Sequence, residues 1–226
     1  MNTAIIVAAG SGTRIDSPTP KQFLEILGKP IILHTLERFE ACPAVDEIVV
    51  VVSADNIGQI TKIAADGGIG KLRRVAAGGR TRAESVRSGF EAADPASVIV
   101  CVHDGVRPLV TIDEIEGTIR SAEDNGAACL VAPVTDTIKS IDYGKITATV
   151  DRRMLRRALT PQAFRYYVLR DAIENSLSDE SITDECMMAE GIGIVVTAVE
   201  GSSRNIKITT RDDLVIAEAF LLEEGR

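Results

Sequence analysis

Several short loops of this chain carry residues able to hold anions and a cation. The first is Ala8-Ala9-Gly10-Ser11-Gly12-Thr13-Arg14, followed by Pro20-Lys21-Gln22. Its two glycines let backbone N–H groups approach an anion closely, and such a turn can gather several of them in one concavity. A guanidinium at Arg14 and an ammonium at Lys21 on the same loop suit a triphosphate, although two solvated cations on a glycine-rich turn would read the same way. The GxxxxGK[ST] spacing of a Walker A loop is absent. So is the dinucleotide fingerprint, because Ile15 stands where GxGxxG needs its third glycine. A second loop, Val102-His103-Asp104-Gly105-Val106-Arg107-Pro108, sets Asp104 at the end of a buried strand. A carboxylate there, beside bound phosphates, is a natural Mg²⁺ ligand; a structural partner such as Arg107 would satisfy it equally. A third, Gly78-Gly79-Arg80-Thr81-Arg82-Ala83-Glu84-Ser85, opens a helix. Its glycine backbone can approach a flat base with Ser85 at the base's edge, or it is an ordinary helical start. Two further cations stand apart: Arg152 follows a hairpin, and Lys207 lies in the apolar segment Asn205-Ile206-Lys207-Ile208-Thr209. With only 2 histidines in the chain, His34 and His103, a zinc site or a Ser-His-Asp triad has little to work with. His103 reads as a packed residue under the site.

The elements that must position these loops follow from hydrophobic periodicity. Ile5 to Ala9, Glu47 to Ser53, Arg73 to Ala77 and Val98 to His103 are short Val/Ile-rich runs, as in buried parallel strands. Amphipathic stretches separate them: Pro30 to Ala41, Asn56 to Asp66 and Arg82 to Ala93. Thr111-Ile112-Asp113-Glu114 is a capping box opening a helix that closes at Asn125-Gly126. Ala128 to Pro133 is a further strand. Ile138 to Thr147 alternates around Gly144 as a hairpin too polar for the main core, so we expect an arm that packs on a second subunit. Gln162 to Asn175 and Asp184 to Glu190 read as helices, Ile192 to Val199 as a strand, and Arg211 to Glu223 as a terminal helix capped by Thr210. The βαβα rhythm predicts a Rossmann-like three-layer α/β/α domain with a mostly parallel sheet and a protruding β-hairpin arm. Ligands in such sheets bind at the carboxyl ends of the strands, where the three glycine loops fall.

Composition narrows the class. The 226 residues suit one domain, residues 1–226, with 137–152 as a dimerisation arm. A net charge of -8 disfavours nucleic acid and anionic membranes, so local cations must hold any phosphate against the overall field. The 4 cysteines lack CxxC spacing and read as reduced thiols of a cytoplasmic protein. No apolar run approaches the length of a membrane span, and the N-terminus runs into a strand rather than a signal peptide.

Taken together, these motifs resemble the 2-C-methyl-D-erythritol 4-phosphate cytidylyltransferase family of the non-mevalonate isoprenoid pathway. The similarity is nearly end to end. It comprises AAGSGTR with PKQF downstream (Ala8 to Arg14, Pro20 to Phe23), GGxxRxxS (Gly78 to Ser85), VHDGVRP (Val102 to Pro108) and APVTDTIK (Ala132 to Lys139). It continues through TVDR (Thr149 to Arg152), LTPQAF (Leu159 to Phe164), ITDE (Ile182 to Glu185) and NIKIT (Asn205 to Thr209). The resemblance implies that Arg14 and Lys21 serve the triphosphate and the transition state. It implies that Ala8, Ala9, Gly10, Ser11 and Gly12, with Gly79, Arg82 and Ser85, hold CTP, and that Asp104 holds Mg²⁺. Arg107, Arg152, Thr160 and Lys207 would line the acceptor pocket, with Thr137 and Arg152 supplied by the neighbouring arm of a homodimer.

Three departures stand out: Arg80 after the glycine pair, Gly105-Val106 where the family commonly has two alanines, and Cys186-Met187-Met188 after the ITDE motif. Within the same class, cytidylyl transfer to D-ribitol 5-phosphate is the alternative, and Leu159 favours the methylerythritol branch. A regulatory module that only holds CTP would not need the acceptor cations. An NAD-dependent oxidoreductase lacks its third glycine, and Gly28-Lys29-Pro30 stands where its acidic residue is needed.

Overall fold

The computed structural model describes residues 1–10, 15, 17–175 and 182–224. Strand β1 (Asn2–Val7) leads through a small hairpin, β2 (Glu25–Ile26) and β3 (Lys29–Pro30), into helix α1 (Ile31–Ala41). Then follow β4 (Glu47–Val52), α2 (Ile57–Asp66), β5 (Leu72–Ala77), α3 (Arg82–Ala92), β6 (Ile99–Asp104), α4 (Ile112–Asn125) and β7 (Ala127–Pro133). The arm is β8 (Ile138–Asp142) and β9 (Lys145–Val150). After it come β10 (Arg156–Arg165), α5 (Tyr166–Asn175), α6 (Glu185–Gly191), β11 (Thr197–Glu200) and α7 (Arg211–Glu224).

Seven strands form one sheet in the order β11-β7-β10-β6-β1-β4-β5. All pairings are parallel except those of β10, which runs antiparallel between β6 and β7. Alternation along the strands divides the core into two layers. Ala4, Ile6, Ile48, Val50, Ile99 and Cys101 meet α1, α2 and α4, whereas Ile5, Val49, Val51, Val100 and Val102 meet α3 and α5. Both faces are therefore apolar, which is why the strands read as unbroken Val/Ile runs. All four cysteines are buried and unbridged.

Most of the predicted elements are present, including the capping box of α4, where the Thr111 and Glu114 side chains each bond the other residue's backbone N–H. Thr210 likewise accepts from Asp213 N at the start of α7. Two expectations are corrected. The segment from Gln162 is not helical until Tyr166, because Arg156–Arg165 is a strand filling the gap between β6 and β7. Its residues Leu159 to Phe164 are buried at consecutive positions on both faces, so no alternation marks it as a strand. Its Pro161 follows a cis peptide and sits where the register with β7 slips, so the missing N–H interrupts no regular ladder. The strand expected over Ile192 to Val199 begins only at Thr197. The arm's turn is tighter than Gly144 alone implies: Tyr143 and Gly144 both have positive φ, 44° and 75°, the signature of a two-residue hairpin.

Gly89 allows α3 to lie directly on the sheet. A Cβ there would stand 2.5 Å from Ile5 Cγ2 and 2.8 Å from Val51 Cγ2, both on stiff β-branched side chains. We predict that Gly89→Val lowers stability by about 1–3 kcal/mol, the usual cost of overpacking, read as a reduced urea midpoint with an unchanged m-value.

Candidate active site

A cavity of about 430 Å³ opens at the carboxyl edge of the sheet. The ends of β1 and β6, the loop before α3, the short helix Lys21–Phe23 and the segment before α7 form its wall. Lys21, Arg80, Arg82 and Lys207 line it, with Asp104 as the carboxylate among them. Ala8, Ala9, Gly10, Gly79 and Ser85 also face it. Arg14, Ser11 and Gly12 lie outside the described residues.

Asp104, the last residue of β6, is nearly buried at 5% exposure and gathers three cations. Its Oδ2 accepts from Arg107 Nε at 3.1 Å and lies 3.0 Å from Lys207 Nζ. Its Oδ1 is engaged more loosely, with Arg82 Nη2 at 3.5 Å. Burial opposes ionisation of this carboxyl, but Arg82, Lys207 and Arg107 outweigh it and hold the group well below its ordinary value. Asp104 is thus charged at neutral pH.

A hydrogen-bonded chain fixes that carboxylate from beneath. The Asp104 N–H donates to Thr160 Oγ1 at 3.1 Å, and Thr160 Oγ1 lies 3.0 Å from His103 Nδ1. His103 Nε2 faces the carbonyl of Arg107 at 3.2 Å, an acceptor only. Nε2 therefore carries the proton, Nδ1 accepts, and the Thr160 hydroxyl donates to it. Burial pushes the His103 imidazole down to about 3, so it is neutral and a poor acid–base catalyst at pH 7. Arg107 Nη1 donates to Asn205 O at 2.8 Å, and Asn205 Nδ2 donates to Thr160 O at 3.0 Å, which closes the network.

Arg82 is pinned on its other side by Glu185, which has no exposed surface. Burial disfavours the charged guanidinium, yet Glu185 and Asp104 beside it raise it above the ordinary arginine value. Burial pushes the Glu185 carboxyl up, and Arg82 opposes the push. Lys21 Nζ donates to Ile208 O at 3.3 Å, so the segment that carries Lys207 also steadies Lys21.

The glycine loop before α3 is shaped by a capping box between Thr81 and Glu84. Ser85 Oγ donates to Thr81 O at 2.9 Å and accepts from Gly79 N at 3.2 Å, so its hydroxyl already holds the loop closed. Arg80 projects to solvent, its side chain 92% exposed. The Gly105 departure has a packing cause: a Cβ there would meet Ile32 Cδ1 at 2.6 Å and Ala8 Cβ at 2.9 Å.

Thr160 and Arg107 lie under the cavity rather than along it, with 3% and 8% exposure, and their polar groups are spent on Asp104 and its supports. Thr137 and Arg152 stand exposed at the base of the arm, away from this wall; the Arg152 guanidinium donates to Thr135 O. Sequence reasoning did not single out Glu185, Gln162 or Asn205. Glu185 lies in the ITDE motif, but its partner Arg82 is 103 positions away, and no local spacing reports such a pair.

The family model for 2-C-methyl-D-erythritol 4-phosphate cytidylyltransferase matches residues 2–223. The chain belongs to this family. It is 42% identical to the 2-C-methyl-D-erythritol 4-phosphate cytidylyltransferase of Syntrophus aciditrophicus over 99% of this chain and 97% of that protein. Identity to the enzyme of the same name from Geobacter metallireducens is also 42%, over 98% and 97%. Among solved structures, the 4-diphosphocytidyl-2C-methyl-D-erythritol synthase of Anaerococcus prevotii superposes with a TM-score of 0.86 at 33% identity, covering 98% of this chain and 96% of that one. The chain is a cytidylyltransferase, and its reaction is CTP-dependent transfer to 2-C-methyl-D-erythritol 4-phosphate in isoprenoid biosynthesis. The ribitol-phosphate alternative is not favoured. No helix among the described residues is long and apolar enough to cross a membrane.

Thr160→Val keeps the side-chain volume but strips the hydroxyl, leaving Asp104 N–H and His103 Nδ1 without a buried partner. We predict a stability loss of about 1–3 kcal/mol in urea denaturation. A residue that only touched substrate would shift the acceptor KM and leave the midpoint alone.

Proposed function

We propose that the enzyme joins its two anionic substrates in the cavity around Asp104, by positioning and charge stabilisation rather than by covalent catalysis. The observation that carries this reading is the gathering of Lys21, Arg82 and Lys207 with one buried carboxylate on a chain of net charge -8. A phosphate monoester is already largely dianionic near pH 7, so the attacking oxygen of the acceptor needs no general base. That oxygen forms a bond to the α-phosphorus of CTP as the bond to the bridging oxygen of pyrophosphate breaks, in line. Arg14 and Lys21 oppose the charge that grows on the phosphoryl and leaving oxygens. The backbone of Ala8 to Gly12, with Gly79, Arg82 and Ser85, holds the nucleotide. Lys207 draws the acceptor phosphate in and offsets the repulsion between the two anions.

Asp104 is the residue that would hold Mg²⁺. One carboxylate suits an ion that keeps waters and phosphate oxygens as its other ligands, and Asp104 Oδ1 is only loosely engaged. No group of three His, Cys, Asp or Glu side chains able to hold a metal occurs among the described residues, so waters and substrate oxygens would supply the remaining ligands. When bound, Mg²⁺ supplies Lewis-acid charge to the triphosphate oxygens.

The arm is the proposed dimerisation element. Among the described residues β8 and β9 pair only with each other, and Ile141, Tyr143, Ile146 and Met154 are exposed on or beside them. A two-stranded ribbon is marginal alone, so a second subunit covering it gives it a partner. In that arrangement Thr137 and Arg152 reach the acceptor pocket of the neighbour. We propose a cytoplasmic location, a reading that the four unbridged cysteines support.

The reaction is tested by identifying the product formed from CTP with 2-C-methyl-D-erythritol 4-phosphate and with ribitol 5-phosphate, following pyrophosphate release. Turnover confined to ribitol 5-phosphate overturns the acceptor. Lys21→Ala should lower kcat by about 10²–10³-fold, as loss of one oxyanion donor does; a kcat near wild type removes Lys21 from the chemistry. Arg152→Ala should raise KM for the acceptor and leave calorimetric CTP affinity nearly intact. Equal weakening of CTP would contradict its place in the acceptor pocket.

A further inference from the structure

Glu185 is a buried carboxylate with an unusual set of contacts. One oxygen, Oε1, bonds Arg82 Nη1, while the other, Oε2, is fully buried and has no hydrogen-bond partner among the described residues. An unpartnered buried carboxylate oxygen is costly, so stability alone is a poor reason to keep this group.

The residue is nevertheless held firmly. Gln162 Oε1 accepts from Glu185 N and Cys186 N, each at 3.1 Å, and Gln162 Nε2 donates to Asp184 Oδ2 at 3.0 Å. Asp184 Oδ1 accepts from Met187 N at 2.9 Å. One amide of β10 thus ties down the first turn of α6, and only one orientation of that amide satisfies all its partners.

The consequence falls on Arg82. Its guanidinium lies between two carboxylates but is shared unequally, tight to Glu185 and 3.5 Å from Asp104 Oδ1. The other oxygen of Asp104 has two close partners, at 3.0 and 3.1 Å. Without the pull of Glu185, Arg82 would close on Oδ1, since a bidentate or short charge-assisted pair is its preferred state. Both oxygens of Asp104 would then be occupied.

We propose that Glu185 is a positioning residue that holds Arg82 back from Asp104, keeping Oδ1 available to a divalent cation. The inference rests on the reading of this cavity as the CTP site with Asp104 as its cation ligand. Glu185 touches neither substrate; it acts through Arg82.

The test is calorimetric CTP binding with Mg²⁺ and with EDTA, for the wild type, Glu185→Gln, Glu185→Asp and Asp104→Asn, beside thermal melting of each. In Glu185→Gln the affinity measured with Mg²⁺ should fall about 10–100-fold, the range for residues that orient a metal ligand, while metal-free affinity changes far less. Glu185→Asp keeps the charge and shortens the reach, and should lose less in the same direction. A folded Glu185→Gln protein with wild-type Mg²⁺-dependent affinity overturns the proposal. If that variant does not fold, wild-type affinity in Glu185→Asp overturns it. A purely structural Glu185 would lower the melting temperature and leave the Mg²⁺-dependent part of binding intact, which also overturns it. If Asp104→Asn too binds CTP with Mg²⁺ as the wild type does, the reading of the cation site itself has failed; its loss alone leaves that reading standing and condemns only the role of Glu185.

Discussion

A single negative charge organises this end of the molecule. Arg82, Arg107 and Lys207 come from a helix start, a loop and a late segment, far apart in sequence, and they would repel one another without the Asp104 carboxylate between them. In a partly buried site that repulsion is screened less than at the surface, so the carboxylate is needed to assemble the cations. The arrangement explains how an acidic protein presents a cationic pocket: the charges are concentrated by one buried anchor, not spread over the surface.

The fold supports that anchor through its least typical strand. β10 runs against the direction of its neighbours, and its Thr160 and Gln162 supply the two supports of the site. Thr160 fixes the backbone and imidazole under Asp104; Gln162 fixes the helix that carries Glu185. A parallel strand here would end where β10 begins. The reversal thus brings mid-strand side chains to bear on the cluster from the side opposite the glycine loops.

The architecture was legible in the sequence because it rests on local signals. Buried parallel strands show as Val/Ile runs, helices as periodic stripes, and the start of α4 as a capping box at Thr111. β10 was misread because burial on both faces erases alternation, and nothing local separates such a strand from a helix. The chemistry-bearing loops were legible for a similar reason: glycines with adjacent cations after strands mark the carboxyl edge, and Lys21, Arg82, Asp104 and Lys207 do share one cavity. What stayed hidden was the support. Arg107 was readable as a partner of Asp104, but the Thr160 hydroxyl beneath that carboxylate was not, and Glu185 owes its place to a partner that only the tertiary fold brings near.

Reversal of β10 has one more effect. Its first residue, Arg156, pairs with Pro133 at the outgoing end of β7, so the ribbon between them emerges at the carboxyl edge of the sheet. That ribbon shares no ladder with the main sheet. Its length and side chains are therefore free to vary over generations without disturbing the interior.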